Sequence, residues 1–115
     1  LITIRSRKQT YEQYFISASI IHVQRNAAEK VVLSASSVLA WDKDGGDVAT
    51  TLLDQATKKL DTDPKTCGLD YSNNMLSIRV RGGDEALMPY KVTFKMETTD
   101  GNRYEADMRV GVNEI

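Results

Sequence analysis

The stretch "WDKDGGDVAT", Trp41 to Thr50, crowds Asp42, Asp44 and Asp47 around a pair of glycines. Carboxylates at that density are the raw material of a calcium site, where several oxygens converge on one ion. The common linear form is D-x-D-x-D-G with a glutamate at position 12. Counted from Asp42, position 5 is Gly46, position 6 is Asp47 and position 12 is Leu53. The spacing fails at all three places. The same residues make a good bend, because aspartate caps a turn and Gly45-Gly46 supply positive φ. The expectation is a turn between strands, without a metal.

Other reactive types are as sparse. Cys67 is the one cysteine and His22 the one histidine, remote from each other in sequence. A single cysteine forms no internal disulfide, and a single histidine makes no zinc set. Cys67 reads as a small buried hydrophobe. No carboxylate pair is marked by the apolar setting that would raise a pKa, and there is no Gly-x-Ser-x-Gly elbow. The chain is expected not to be an enzyme and to need no cofactor.

Two charged stretches suit contacts instead. In "RVRGGDE", Arg79 to Glu85, an extra glycine separates the arginine from the aspartate, so it is not the tripeptide Arg-Gly-Asp. Gly82-Gly83 do not lead into a helix, so the stretch does not cradle phosphate. It reads as a loop between strands, with Arg79 and Arg81 facing outward and Asp84 and Glu85 beside them. In the N-terminal "IRSRK", Arg5, Arg7 and Lys8 precede any acid, and Ile2 and Ile4 alternate with polar residues. That alternation suits an added edge strand, here an arm packing on a neighbouring subunit, against a solvated arm. Three charges are too few for strong nucleic-acid binding.

The whole chain has 115 residues, 15 basic and 16 acidic, for a net charge of -1. That length fits one domain able to bury a core without metal or disulfide. Near neutrality gives no reason to expect nucleic acid or an anionic membrane as partner. An apolar share of 41% is ordinary for a globular protein. No apolar run approaches the roughly 20 residues of a membrane-spanning helix. The start lacks the basic-then-apolar order of a signal peptide, and it lacks an initiator Met.

Alternation with period two dominates. Tyr14, Ile16, Ala18 and Ile20 share one parity. Val31, Leu33, Ala35, Leu39 and Trp41 share another run, with a bulge or strand end suggested at Ser37-Val38. Leu76, Ile78 and Val80 alternate with Ser77, Arg79 and Arg81. Tyr90, Val92, Phe94 and Met96 alternate with polar residues, as do Tyr104, Ala106, Met108, Val110 and Val112. Each is a strand with one face on a core and one in water. The middle reads as a short strand, 48–53, then a polar loop with at most one helical turn. "DTDPKTCG" is a loop, since the residue before Pro64 is kept out of the helical region. "DYSNNM" is a turn.

The last two strands can be registered. Opposed residues of an antiparallel pair point to the same side. A two-residue turn at Asp100-Gly101 sets Phe94 against Asp107 and puts charge in the core. A three-residue loop of Thr99, Asp100 and Gly101 sets Phe94 against Ala106 and Met96 against Tyr104. It also places Gly101 in the left-handed position that closes such a loop. Strands with turns about every ten residues predict an all-β antiparallel, immunoglobulin-like β-sandwich of about 6–8 strands. Residues 1–9 form the arm or edge strand and 10–115 the domain, with Trp41 expected in the core.

At "SSVLAWDKDGGDVATTLL" and "LSIRVRGGDEALMPYKVTFKMETTDGNRYEADMRVGV" the chain resembles a family of small tailed-phage virion proteins. The shared features are a strand, an Asp-Gly-x-Asp-Val bend and a strand ending in Gly-Gly. A hairpin of the form Tyr-x-Val-Thr-Phe, Thr-x-x-Gly-Asn and Glu-Ala-Asp closes the pattern. Residues 34–53 and 76–112 carry the resemblance, and "EALMP" departs from the glycine-containing turn usual before the tyrosine strand. The resemblance implies an immunoglobulin-like virion component from among head and tail genes, assembled in the host bacterial cytoplasm. Its partners would be phage capsid, portal or tail proteins, or further copies of itself. The contact residues expected are Ile2, Ile4, Arg5, Arg7, Lys8, Asp44, Asp47, Arg81, Asp84 and Glu85. The alternative is an immunoglobulin-like module of a surface protein recognising carbohydrate or another receptor. For that, among the one tryptophan and five tyrosines, Tyr11 and Tyr71 are the ones not assigned to the core.

Overall fold

A computed structural model describes residues 2–9, 14–24, 26–63, 72–81 and 87–113, with side chains over 15–24, 26–63, 72–81 and 87–111. Among the described residues there are seven strands: β1 (Ile2–Gln9), β2 (Tyr14–Ser19), β3 (Ser37–Trp41), β4 (Leu53–Asp61), β5 (Met75–Val80), β6 (Tyr90–Glu97) and β7 (Arg103–Asn113). They form a four-stranded sheet in the order β1-β7-β6-β3 and a three-stranded sheet in the order β2-β5-β4.

The inward residues follow the alternation. Ile16 and Ala18 of β2, Leu76, Ile78 and Val80 of β5, and Leu53 of β4 are buried on one sheet. Val38, Ala40, Tyr90, Val92, Phe94, Met96, Ala106, Met108 and Val110 are buried on the other. Together they make one core between two sheets. An order of β2-β5-β4 facing β3-β6-β7 matches strands B, E and D facing C, F and G of the immunoglobulin fold. The protein is an immunoglobulin-like β-sandwich. Val92, two residues after the Tyr90 that opens β6, stands where antibody domains place the second cysteine of their inter-sheet bridge. Here the site is filled by aliphatic packing.

The β6–β7 hairpin has the expected register, with Phe94 opposite Ala106 and Met96 opposite Tyr104. Thr98 N–H donates to Asn102 O at 2.9 Å and Gly101 N–H to Thr98 O at 2.9 Å, closing a loop of Thr99, Asp100 and Gly101. Gly101 has φ +79°.

Of the two readings of residues 1–9, arm or edge strand, the chain shows an edge strand: β1 pairs in parallel with β7, Ile2 beside Ala106 through Gln9 beside Asn113. This one ladder of the sandwich is parallel. Three expectations are corrected. First, a 3-10 turn at Leu33–Ala35 interrupts the run before β3. The interruption resets the parity, so Val38 and Ala40 are buried, while Leu39 and Trp41 lie half-buried on the opposite face. Second, 48–52 is a turn, with Thr51 and Leu52 N–H both donating to Val48 O at 3.2 and 2.9 Å. Third, the strand begins at Leu53, where it was expected to end. It is polar because residues 55–58 bulge out between the Asp54 and Lys59 pairings.

Gly101 has no atom within 4 Å of the position a Cβ would take, so only its backbone angle selects glycine. Gly101→Val should therefore destabilise the fold by about 1–2 kcal/mol, with Gly101→Asn costing distinctly less. Thermal unfolding followed by circular dichroism measures both, and equal losses would show that the loop does not depend on the left-handed angle.

Candidate functional site

The acidic bend is built around one carboxylate. Asp42 Oδ1 accepts the N–H groups of Asp44 and Gly46, both at 2.9 Å. Gly45 takes φ +81°, and Asp42 N–H donates to Gly46 O at 2.9 Å. A Cβ on Gly46 would come within 2.7 Å of Asp42 Oδ2, so the second glycine leaves room for the capping side chain. Asp47 Oδ1 accepts Ala49 N–H at 2.9 Å and turns the chain toward β4. Asp44 and Asp47 are exposed and belong to a tight bend. Among the described residues no group of three His, Cys, Asp or Glu side chains comes together.

Arg79 of β5 and Arg81, the residue just beyond it, have partners on β4 and in the turn before it. Arg79 Nη2 lies 2.7 Å from Asp54 Oδ2, and Arg81 Nη1 lies 3.7 Å from Asp54 Oδ1. Arg81 also donates to Thr50 O at 2.7 Å. Arg81 is thus engaged beside β4, with its side chain 46% exposed. Asp84 and Glu85 lie outside the described residues, as do Cys67, Tyr11 and Tyr71. Ile2, Ile4, Arg5, Arg7 and Lys8 occupy register positions along β7, opposite Ala106, Met108, Arg109, Gly111 and Val112. His22 is exposed in the turn after β2.

The two edges of the four-stranded sheet differ. The outward carbonyls of β3 and the residue before it are all taken: Ser36 O by Lys58 Nζ at 2.6 Å, Val38 O by Gln55 Nε2 at 3.0 Å, and Ala40 O by Val48 N–H at 2.9 Å. The bulge in β4 is what turns Gln55 and Lys58 toward this edge. Such a covered edge cannot accept another strand. On the other side, β1 has β7 as its one sheet neighbour among the described strands.

A buried polar centre went unread in the sequence. Glu29 has 0% exposure. Its Oε2 accepts from Thr98 Oγ1 at 2.7 Å, Asn102 Nδ2 at 2.8 Å and Tyr104 OH at 3.3 Å. Asn74, also fully buried, accepts Asp63 N–H on its Oδ1 at 2.9 Å and donates to Gln24 Oε1 at 3.1 Å. Glu29 thus ties the β2–β3 connection to the β6–β7 hairpin, and Asn74 ties the start of β5 to Asp63 after β4 and to Gln24 after β2. They are structural, since every donor named is spent on the fold.

No protein-family model matches the chain, and no curated protein matches it. Among solved structures, the ZIG-8–RIG-5 IG1–IG1 heterodimer in its monoclinic form is 10% identical, with a TM-score of 0.38, covering 95% of this chain and 81% of that one. The ZIG-8 IG1 homodimer is 8% identical, with a TM-score of 0.37, covering 96% and 79%. Similarity this low adds nothing to the strand order already described. No described helix is long and apolar enough to cross a membrane.

Two measurements separate a structural from a metal-binding reading of these carboxylates. Glu29→Ala strands the buried donors of Thr98 and Asn102 and should cost about 2–4 kcal/mol, whereas Asp42→Ala, in an exposed bend, should cost about 1 kcal/mol. Added calcium should leave the melting temperature of the natural chain unchanged. A calcium-dependent rise that Asp42→Ala abolishes would overturn the reading of this bend.

Proposed function

We propose that the chain is a non-enzymatic structural module of a tailed-phage particle, assembled in the host bacterial cytoplasm and acting through protein contacts. Its neighbours are further copies of itself or capsid, portal or tail proteins. The virion reading is supported by the resemblance over residues 34–53 and 76–112. Assembly is supported by one structural observation, the contrast between a sealed β3 edge and a β1 strand held by a single ladder.

The mechanism we favour is exchange of β1. This strand carries eight residues and pairs with β7 throughout its length. The same ladder forms with β7 of a second copy without loss of hydrogen bonds, which makes exchange an inexpensive route to oligomers. The surface-module alternative needs aromatic rings open to a sugar. Among the described aromatics, Tyr90 and Phe94 are buried, and Tyr104 is half-buried with its OH bonded to Val23 O and Glu29. Exposed Phe15 lies under Lys59 Nζ, 4.5 Å from its ring centre. Half-buried Trp41, with Lys91 Nζ 5.8 Å from its ring centre, is the one outward ring among them on an open groove.

A cysteine trap tests exchange. Arg5→Cys and Arg109→Cys are combined in a Cys67→Ser background, since Arg5 and Arg109 are opposed in the ladder. Oxidation across a concentration series, read on non-reducing gels against each single-cysteine control, should give linked dimers and larger species. A bridged monomer alone at every concentration would mean that β1 stays on its own domain, and the exchange reading would fail.

A further inference from the structure

The outward face of the four-stranded sheet carries a row of residues that folding does not explain. The ladders place Trp41 opposite Lys91, Lys91 opposite Arg109, and Arg109 opposite Arg5. One aromatic residue and three cations therefore occupy neighbouring register positions across all four strands. Like charges directly opposed across strands are destabilising. Lys91 has compensation: its Nζ lies 3.6 Å from Asp107 Oδ2 and 5.8 Å from the centre of the Trp41 ring. Arg109 is exposed and makes no ion pair with any described residue. Lys43, exposed just beyond β3, makes none either.

These groups converge on a groove. Trp41, Lys43, Pro89, Lys91 and Arg109 line an open depression of about 420 Å³. Asp42 also borders it, but its Oδ1 is occupied by the N–H groups of Asp44 and Gly46. The positive charge is local, since the chain as a whole carries -1. The cluster thus keeps opposed cations side by side in a protein with enough acids to separate them.

We propose that this row is a docking site for an acidic protein segment. Its carboxylates meet Lys43, Lys91 and Arg109, and an aliphatic side chain rests on the half-buried ring of Trp41. Three strand spacings span about 14 Å, the reach of roughly four extended residues, so a short segment covers the row. Charge complementarity selects this occupant. A nucleic acid fits the face less well, because affinity there grows with the number of phosphates neutralised. Further along the same face a phosphate chain meets Asp107 and Glu105, and Lys95 is already paired with Glu105 at 3.8 Å.

Trp41 is the chain's one tryptophan, so its fluorescence reports on this row alone. The probes are a short synthetic peptide with glutamate at alternate positions around a central leucine, the same peptide with glutamine for glutamate, and an oligothymidylate of equal charge. The glutamate peptide should give a saturable fluorescence change that weakens as salt rises, and the glutamine peptide none. Lys43→Glu combined with Arg109→Glu should weaken binding about tenfold or more, while Lys95→Glu leaves it unchanged. Circular dichroism and melting check that each variant is folded. If the double variant melts below the assay temperature, Arg109→Gln alone makes the same comparison with a smaller loss. No response, equal responses to the two peptides, full binding by the charge variants, or tighter binding of the oligothymidylate would each overturn the proposal.

Discussion

Glu29 has no exposed surface, and its Oε2 takes hydrogen bonds from Thr98 and Asn102, the two residues that flank the β6–β7 loop. A buried carboxylate is costly unless its oxygens are satisfied, so the three donors around it must be present together. That requirement clamps the loop from the side. The next residue completes the clamp: Thr99 N–H donates to Lys30 O at 2.8 Å, and Lys30 N–H donates to Thr99 Oγ1 at 3.1 Å. With both loop flanks fixed, three residues must connect the strands and Gly101 must take its left-handed angle. The parity of β6 and β7 follows, and with it the burial of Phe94, Met96, Ala106 and Met108. β3 is paired to β6 and β1 to β7, so the four-stranded sheet is built outward from this hairpin.

The hairpin was legible in the sequence because two simple constraints meet there. Alternation gives the faces, and only an odd loop keeps charge out of the core. β2 and β5 were legible by alternation alone. The face of β3 was not, because the 3-10 turn at Leu33–Ala35 leaves no mark in an apolar run and yet shifts the phase. That is why Trp41 was expected inside and lies outside. β4 was missed for a different reason. Its bulge breaks the alternation, and Thr57, a residue that would mark a strand, instead receives Arg79 N–H on its Oγ1 at 3.0 Å. Glu29 carries no local signature at all. Its partners are about seventy residues away, as the separation of Thr98 shows.

The residues on which the proposed virion reading rests are ones that shape the chain. Asp47 caps the turn into β4, and Thr98, Gly101 and Asn102 form the clamped loop. A pattern made of turn-formers is a good report of fold and a weak report of activity. Function has to be sought in side chains that the fold leaves unused. By that criterion Asp42 and Arg81 are engaged, as is Arg79 through its Nη2, whereas Lys43 and Arg109 make no ion pair among the described residues.

The sealed edge and the cationic row bear on each other. Gln55 and Lys58 look like ordinary solvent-facing residues in the sequence, yet they close β3 against strand addition. The opposite edge of the same sheet is β1, and its register sets Arg5 beside Arg109. If β1 comes from a neighbouring copy, positions 5 and 109 of the ladder belong to different chains, and the row of Trp41, Lys91 and Arg109 then ends at the junction between copies. A segment lying along the row would reach that junction, so its binding and the exchange of β1 would be coupled. Such coupling is reciprocal: whatever exchange does to binding, binding does to exchange.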